Sequence, residues 1–128
     1  MKIINDSQKT YNTVIILDYG SQYSKLIARR VRECNVYSEI INPNVAKSEL
    51  DHLNIKGIIL SGGPSDINDS SSPKIPDWLY DFDVPILGIC YGLQAIIYND
   101  GGKVSSDLNS EYGKAEINLI SNKDPLFQ

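Results

Sequence analysis

The sequence predicts an α/β protein: a doubly wound, mostly parallel sheet with helices on both faces, incomplete at its C-terminus. Three observations predict it. From Thr13 onward, short β-branched apolar runs alternate with amphipathic or turn-forming segments in the order β-α-β-α-β-α-β-α. The runs that start at Thr13, Gly57 and Pro85 are apolar without alternation, as strands covered on both faces are. Each of the three runs into a glycine-bearing turn: Asp18-Tyr19-Gly20-Ser21-Gln22, Ser61-Gly62-Gly63-Pro64-Ser65 and Gly88-Ile89-Cys90-Tyr91-Gly92. In such sheets crossovers are right-handed and ligands bind beyond the C-terminal ends of the strands, so the three turns are expected to share one edge and one site.

The elements follow in order. Residues 1–12 hold no apolar run longer than Ile3-Ile4 and read as a flexible lead-in, neither a secretory signal nor an Arg-rich transit peptide. Residues 13–18 form the first strand, and Ser21 is placed as the N-cap of the next helix. Tyr23, Leu26, Ile27, Val31 and Cys34 recur at helical spacing, which predicts an amphipathic helix over 22–33. Residues 36–41 read as a second strand, broken by Asn42-Pro43-Asn44. A short helix over 48–53 points Leu50 and Leu53 inward, and a third strand covers 57–61. The Ser-, Asp- and Asn-rich stretch 65–73 is a polar loop. Residues 75–82 are expected to form a short helix with Pro76 in its first turn and Trp78 and Leu79 against the sheet. The strand from Pro85 leads through Cys90 into a helix over 93–99, stopped by Gly101-Gly102. Residues 103–105 and 115–120 read as two further strands around a turn at 109–113, and Asp124-Pro125-Leu126-Phe127 begins another element. The element order is flavodoxin-like. Residues 13–128 are one domain with no internal repeat.

Bulk properties narrow the function classes. The 128 residues, 41% hydrophobic and 22% charged, suit one globular domain with a real core. A net charge of −4 argues against a nucleic-acid-binding face. No apolar run approaches a membrane span. Two cysteines, Cys34 and Cys90, make no disulfide framework, so a reducing, cytosolic location is expected.

The chemistry points to Cys90. Gly88 and Gly92 sit two residues either side of it, at a predicted strand-to-helix turn. This is the logic of the nucleophile elbow, with Cys for Ser: small neighbours leave room for a strained residue at the tip. The bland alternative is a buried structural cysteine. Tyr91 supplies the backbone N–H just after the nucleophile, the usual first oxyanion donor, and Gly63 supplies a second, since a missing Cβ allows close approach. The bland reading of Gly62-Gly63 is a tight turn. Ser61-Gly62-Gly63 also opens the phosphate loop of ATP-pyrophosphatase domains, but Pro64-Ser65-Asp66 departs from that loop and no helix start follows. Lys25, Arg29 and Arg32 share a helix face, either simply solvated or a docking surface for a partner domain. His52, the one histidine, precedes strand three and falls at the opposite edge from Cys90, about 16 Å away, so it reads as exposed and structural. The same geometry keeps Cys34 from pairing with Cys90.

Together these residues resemble the class I (triad) glutamine amidotransferases, and within them the N-terminal glutaminase domains of GMP synthases. The resemblance rests on Leu17-Asp18-Tyr19-Gly20-Ser21-Gln22-Tyr23, Leu26-Ile27-Ala28-Arg29-Arg30-Val31-Arg32-Glu33, Ile59-Leu60-Ser61-Gly62-Gly63-Pro64-Ser65, Gly88-Ile89-Cys90-Tyr91-Gly92-Leu93-Gln94 and Glu111-Tyr112-Gly113. It implies that Cys90 attacks the side-chain amide of glutamine to form a γ-glutamyl thioester, that the Gly63 and Tyr91 N–H groups hold the oxyanion, and that Gln94 helps hold the substrate. It implies no cofactor in this part of the chain. The released ammonia would pass to an ATP-pyrophosphatase domain, in cis or in trans, that uses ATP and Mg2+ to convert XMP to GMP. Partners are then glutamine and that domain, with no nucleic acid or membrane, in the cytosol. Two departures stand out. Ser110 replaces the family's usual Arg, and the family's downstream His-x-Glu pair is absent, since no His follows Cys90. Residues 13–128 are therefore expected to be a partial amidotransferase domain. A non-catalytic binding or docking module and a different cysteine chemistry on the same fold remain open readings.

Overall fold

A computed structural model describes residues 11–105 and 114–128. Four parallel strands form one sheet in the order β2-β1-β3-β4, the first four places of the flavodoxin-like order. They are β1 (Asn12–Leu17), β2 (Tyr37–Ile41), β3 (Asn54–Leu60) and β4 (Ile86–Gly88). Two α-helices accompany them, α1 (Ser24–Glu33) and α2 (Tyr91–Asn99). β1 opens at Asn12, which pairs with Asn54. β3 starts three residues before the sequence expectation and absorbs one extra residue, Lys56, between the pairs Thr13–Ile55 and Val14–Gly57. That bulge shifts the alternation by one, so Ile55 joins Ile58 and Leu60 on one face of the sheet.

The core lies on that face. Ile15, Leu17, Ile58 and Leu60 from the strands meet Leu50, Leu53, Ile67, Trp78, Leu79, Tyr91 and Ala95 from the connections and α2. The opposite face carries α1 over β1 and β2. Ser38 of β2 is fully buried beneath it and donates from Oγ to the Ala28 carbonyl at 2.9 Å. The Arg32 guanidinium donates to Ser38 Oγ at 3.1 Å and to the Ser38 carbonyl at 2.7 Å, so one member of the basic stripe is a structural tie to β2. Arg29 and Arg30 both pair with Glu33, at 3.2 and 2.9 Å.

Several sequence expectations need correction. Ser21 does not cap α1: the helix begins at Ser24 behind Tyr23, and Ser21 Oγ instead accepts the Tyr23 N–H at 3.0 Å within the preceding turn. Only Ser24 and Ala28 of α1 are buried, while the apolar stripe of Leu26, Ile27, Val31 and Cys34 lines an open groove with Ile59, Leu87 and Ile89. The helix expected over 75–82 reduces to one 3-10 turn, Leu79–Phe82, although Trp78 and Leu79 are buried as expected. Pro73 and Pro76 disfavour helical backbone at the residues before them and leave too few positions for an α-helical nucleus. The segment expected as a helix over 48–53 is likewise a 3-10 turn, Lys47–Leu50. Residues 103–105 and 115–120 form no strand: their pattern suits one, but no ladder partner is found among the described residues. The final element is a 3-10 turn, Pro125–Phe127, capped by Asp124. The Glu111-Tyr112-Gly113 motif, Ser110, the turn at 109–113 and most of the lead-in lie outside the described residues.

Candidate active site

The three turns meet at the C-terminal edge of the sheet. They line an open cleft of about 390 Å³, whose walls are Gly20, Ser21, Gln22, Tyr23, Gly62, Gly63, Pro64 and Cys90. Cys90 is exposed and is the N-cap of α2, with φ 50° and ψ −113°. A non-glycine residue in the left-handed half of φ space is strained, which is the backbone signature expected of a nucleophile at an elbow.

Both neighbouring glycines are required by contact. A Cβ on Gly92 would lie 2.5 Å from the Leu60 carbonyl oxygen, and one on Gly88 would lie 2.7 Å from Leu93 Cα. The elbow therefore packs α2 directly on the ends of β3 and β4. It is tied there by the Gly92 N–H, which donates to the Ser61 and Ile89 carbonyls at 3.1 and 2.9 Å. Gly63 is glycine for a related reason: a Cβ there would sit 2.2 Å from the Tyr19 carbonyl oxygen. The sequence reading linked that glycine to substrate approach; the space is occupied by the first turn of the protein itself. A Cβ on Gly62 would lie 3.5 Å from Cys90 Cβ, so the glycine turn and Cys90 stand side by side in the lining of the cleft. Among the described residues neither the Gly63 nor the Tyr91 N–H has a hydrogen-bond acceptor.

Two residues organise this site that the sequence reading left unassigned. Asp18 folds the first turn: its Oδ1 accepts the Gly20 N–H at 2.9 Å and the Ser24 hydroxyl at 2.8 Å. Ser61, fully buried, accepts the Tyr19 N–H on Oγ at 2.9 Å and donates the hydroxyl proton to the Gly62 carbonyl at 2.8 Å. Aspartate at a strand end with Gly20-Ser21 two residues on is the one local signal that could have marked Asp18. Ser61 offered none, since its partner Tyr19 lies 42 residues away.

Behind the cleft stand two tyrosines. The rings of Tyr19 and Tyr91 are 5.4 Å apart. The Tyr19 hydroxyl donates to the Lys74 carbonyl at 3.3 Å, and the Tyr91 hydroxyl to the Pro73 carbonyl. Burial raises the Tyr19 hydroxyl well above the ordinary phenol range, with Tyr91 beside it adding to the shift, and burial raises Tyr91 as well. The polar loop 65–73 is thereby pinned beside Tyr91, and Lys74 Nζ closes it by donating to the Ile67 and Asp69 carbonyls at 2.7 and 3.1 Å.

The remaining sequence candidates divide. Gln94 lies one turn beyond Cys90, its N–H donating to the Cys90 carbonyl at 3.1 Å, and its side chain is exposed outside the lining of the cleft. His52 precedes β3 at the opposite edge of the sheet and is partly buried rather than exposed. Cys34 is free, exposed, and follows the far end of α1. A larger hollow, about 670 Å³, lies away from this chemistry over Lys25, Arg29, Arg32, Tyr37 and Ile40.

Fold and site together define a protein of the doubly wound α/β class with an exposed elbow cysteine and two unengaged backbone donors beside it. Residues 15–128 match the family Glutamine amidotransferase class-I, and the chain belongs to that family. It is 46% identical over 121 residues to a protein of Thermobifida fusca named GMP synthase [glutamine-hydrolyzing], covering 94% of this chain and 23% of that one. A protein of the same name from Brachyspira hyodysenteriae is 49% identical over 121 residues, again 94% of this chain and 23% of the relative. The crystal structure of a Thermoplasma acidophilum protein, described as one subunit of a GMP synthase, superposes with a TM-score of 0.74 at 29% identity, over 91% of this chain and 58% of that one. The chain thus spans about a quarter of the length of the two curated relatives. Among the described residues no helix is long and apolar enough to cross a membrane.

Proposed function

We propose that this chain carries the nucleophile half of a glutamine-hydrolysing site that supplies ammonia for amination of XMP to GMP. The observation that carries the reading is Cys90, exposed at a left-handed elbow and lining one cleft beside the Gly62-Gly63 turn. In the proposed reaction the Cys90 sulfur bonds to the carboxamide carbon of glutamine, and the carbonyl π pair moves to the oxygen. The N–H groups of Gly63 and Tyr91 receive that charge. The C–N bond then breaks, the nitrogen takes a proton and leaves as ammonia, and water cleaves the thioester to release glutamate and return the thiol. Gln94, one turn along α2, is the proposed contact to the substrate's other end. Ammonia would be used by an ATP-pyrophosphatase unit, in the same chain or a separate one, where ATP and Mg2+ act. The naming of the Thermoplasma acidophilum relative as one subunit of a GMP synthase supports a partner unit.

The test is selective alkylation. A chloroketone analogue of glutamine should label Cys90 far faster than iodoacetamide does. Free glutamine should protect, and Cys90→Ala should abolish labelling at that site. Equal labelling by the two reagents, with no protection, would sink the reading. One observation favours glutamine binding over turnover in the 128-residue chain alone: its single imidazole, His52, stands at the wrong edge of the sheet to protonate ammonia. Release of ammonia by this chain is expected to be slow, and a coupled glutamate assay at rates typical of enzymes would contradict that.

A further inference from the structure

We infer that Ser61 is a positioning residue of the site: its hydroxyl fixes the Gly62–Gly63 peptide so that the Gly63 N–H stays available as an oxyanion donor. The inference rests on the amidotransferase reading above and adds to it the residue that sets the donor's direction. The Tyr19 N–H can only donate, so Ser61 Oγ must accept from it, and the hydroxyl proton is left to the Gly62 carbonyl, 2.8 Å away. In a trans peptide the C=O and the N–H point in opposite directions. Holding the Gly62 oxygen toward Ser61 therefore turns the Gly63 N–H away from it. A glycine pair is otherwise free to rotate this peptide, since neither residue carries the Cβ that would restrict it. The backbone groups of Ser61 are also fixed. Its N–H donates to the Leu17 carbonyl at 3.0 Å, and its carbonyl accepts from Gly92 at 3.1 Å. This one side chain joins the end of β1, the glycine turn and, through its own backbone, the elbow helix. Because Ser61 is fully buried, no water replaces the lost hydroxyl without rearrangement.

The experiment is the labelling rate of Ser61→Ala in the intact chain with two probes, the chloroketone analogue of glutamine and iodoacetamide. The chloroketone places a carbonyl oxygen where the oxyanion forms, whereas iodoacetamide reports only thiol exposure and reactivity. Ser61→Ala is expected to slow chloroketone labelling about tenfold, the size of one hydrogen bond, with the iodoacetamide rate unchanged. If both rates stay at wild-type values, or both fall together, Ser61 does not orient the donor and the inference is overturned. If the wild-type chain itself shows no preference for the chloroketone, the amidotransferase reading falls and takes this inference with it. A second measurement needs no variant: in wild-type protein the Ser61 hydroxyl proton should be visible by NMR in slow exchange with water and coupled to a fixed χ1. Exchange at the rate of a free serine overturns the inference even if the Ser61→Ala chain does not fold.

Discussion

Cys90 sits at φ 50° because Gly88 and Gly92 allow α2 to start directly against the ends of β3 and β4. Strain of that kind costs about 1–3 kcal/mol, and glycine relieves it while losing about 0.5–1 kcal/mol in chain entropy. Cys90→Gly is therefore expected to stabilise the fold by about 1 kcal/mol while removing the nucleophile. A urea midpoint at or below that of wild type would show that the elbow stores no strain. Gly92→Ala lies at the other extreme. Its methyl would meet the Leu60 carbonyl oxygen at 2.5 Å, and backbone on both sides must move, so the variant should lose about 1–3 kcal/mol or more. These positions were legible in the sequence because a glycine two residues either side of a cysteine has few explanations. Asp18 had only the local turn that follows it to mark it, and Ser61 had nothing, because its role depends on which strand ends become neighbours. No local pattern of residues encodes that.

Among the elements, the strands were legible where β-branched runs coincide with burial on both faces, as in Val14 to Leu17 and Ile58 to Leu60. Helix α1 was legible in extent but not in orientation. Its strongest periodic stripe faces a groove, and the buried positions are the small Ser24 and Ala28, which let the helix lie close over β1 and β2. From composition the stretch 65–73 reads as a polar loop. In the structure Ile67 is fully buried and Lys74 ties the loop by two carbonyl contacts, with its Nζ 4.7 Å from the Tyr98 ring centre. Lys74→Met is expected to cost about 1 kcal/mol and to raise the rate of proteolysis within 65–73, measured by limited digestion. Unchanged cleavage would show that Lys74 does not hold the loop. The loop's second anchor titrates. The Tyr19 and Tyr91 hydroxyls lie above their ordinary value of about 10 because burial disfavours the phenolate. The folded state then keeps these protons longer than the unfolded chain does. Stability from this source is fully present at neutral pH and is lost as pH rises from about 10 toward the folded-state values. Tyr19→Phe should flatten that alkaline loss in a series of urea melts.

At the scale of the molecule the two faces of the sheet are unequal. One holds the core, and the other leaves Leu26 45% and Leu87 38% exposed along a groove between α1 and β4, with β4 an open edge among the described residues. Apolar surface beside an unpaired strand edge favours association. The 128-residue chain is expected to gain weight-average mass with concentration in sedimentation equilibrium. Leu87→Lys should reduce that gain, and a monomeric mass at all concentrations would contradict the expectation. A different consequence follows from the strand order. β1 is central and pairs with β3, although Tyr19 and Ser61, which join across that pair, are 42 residues apart in sequence. On a ribosome β1 emerges before β3 and cannot complete its pairing until β3 has been made, and the elbow appears later still. Long-range closure of this kind is slow relative to local helix formation. The order of synthesis thus places Cys90 after both turns that line its cleft.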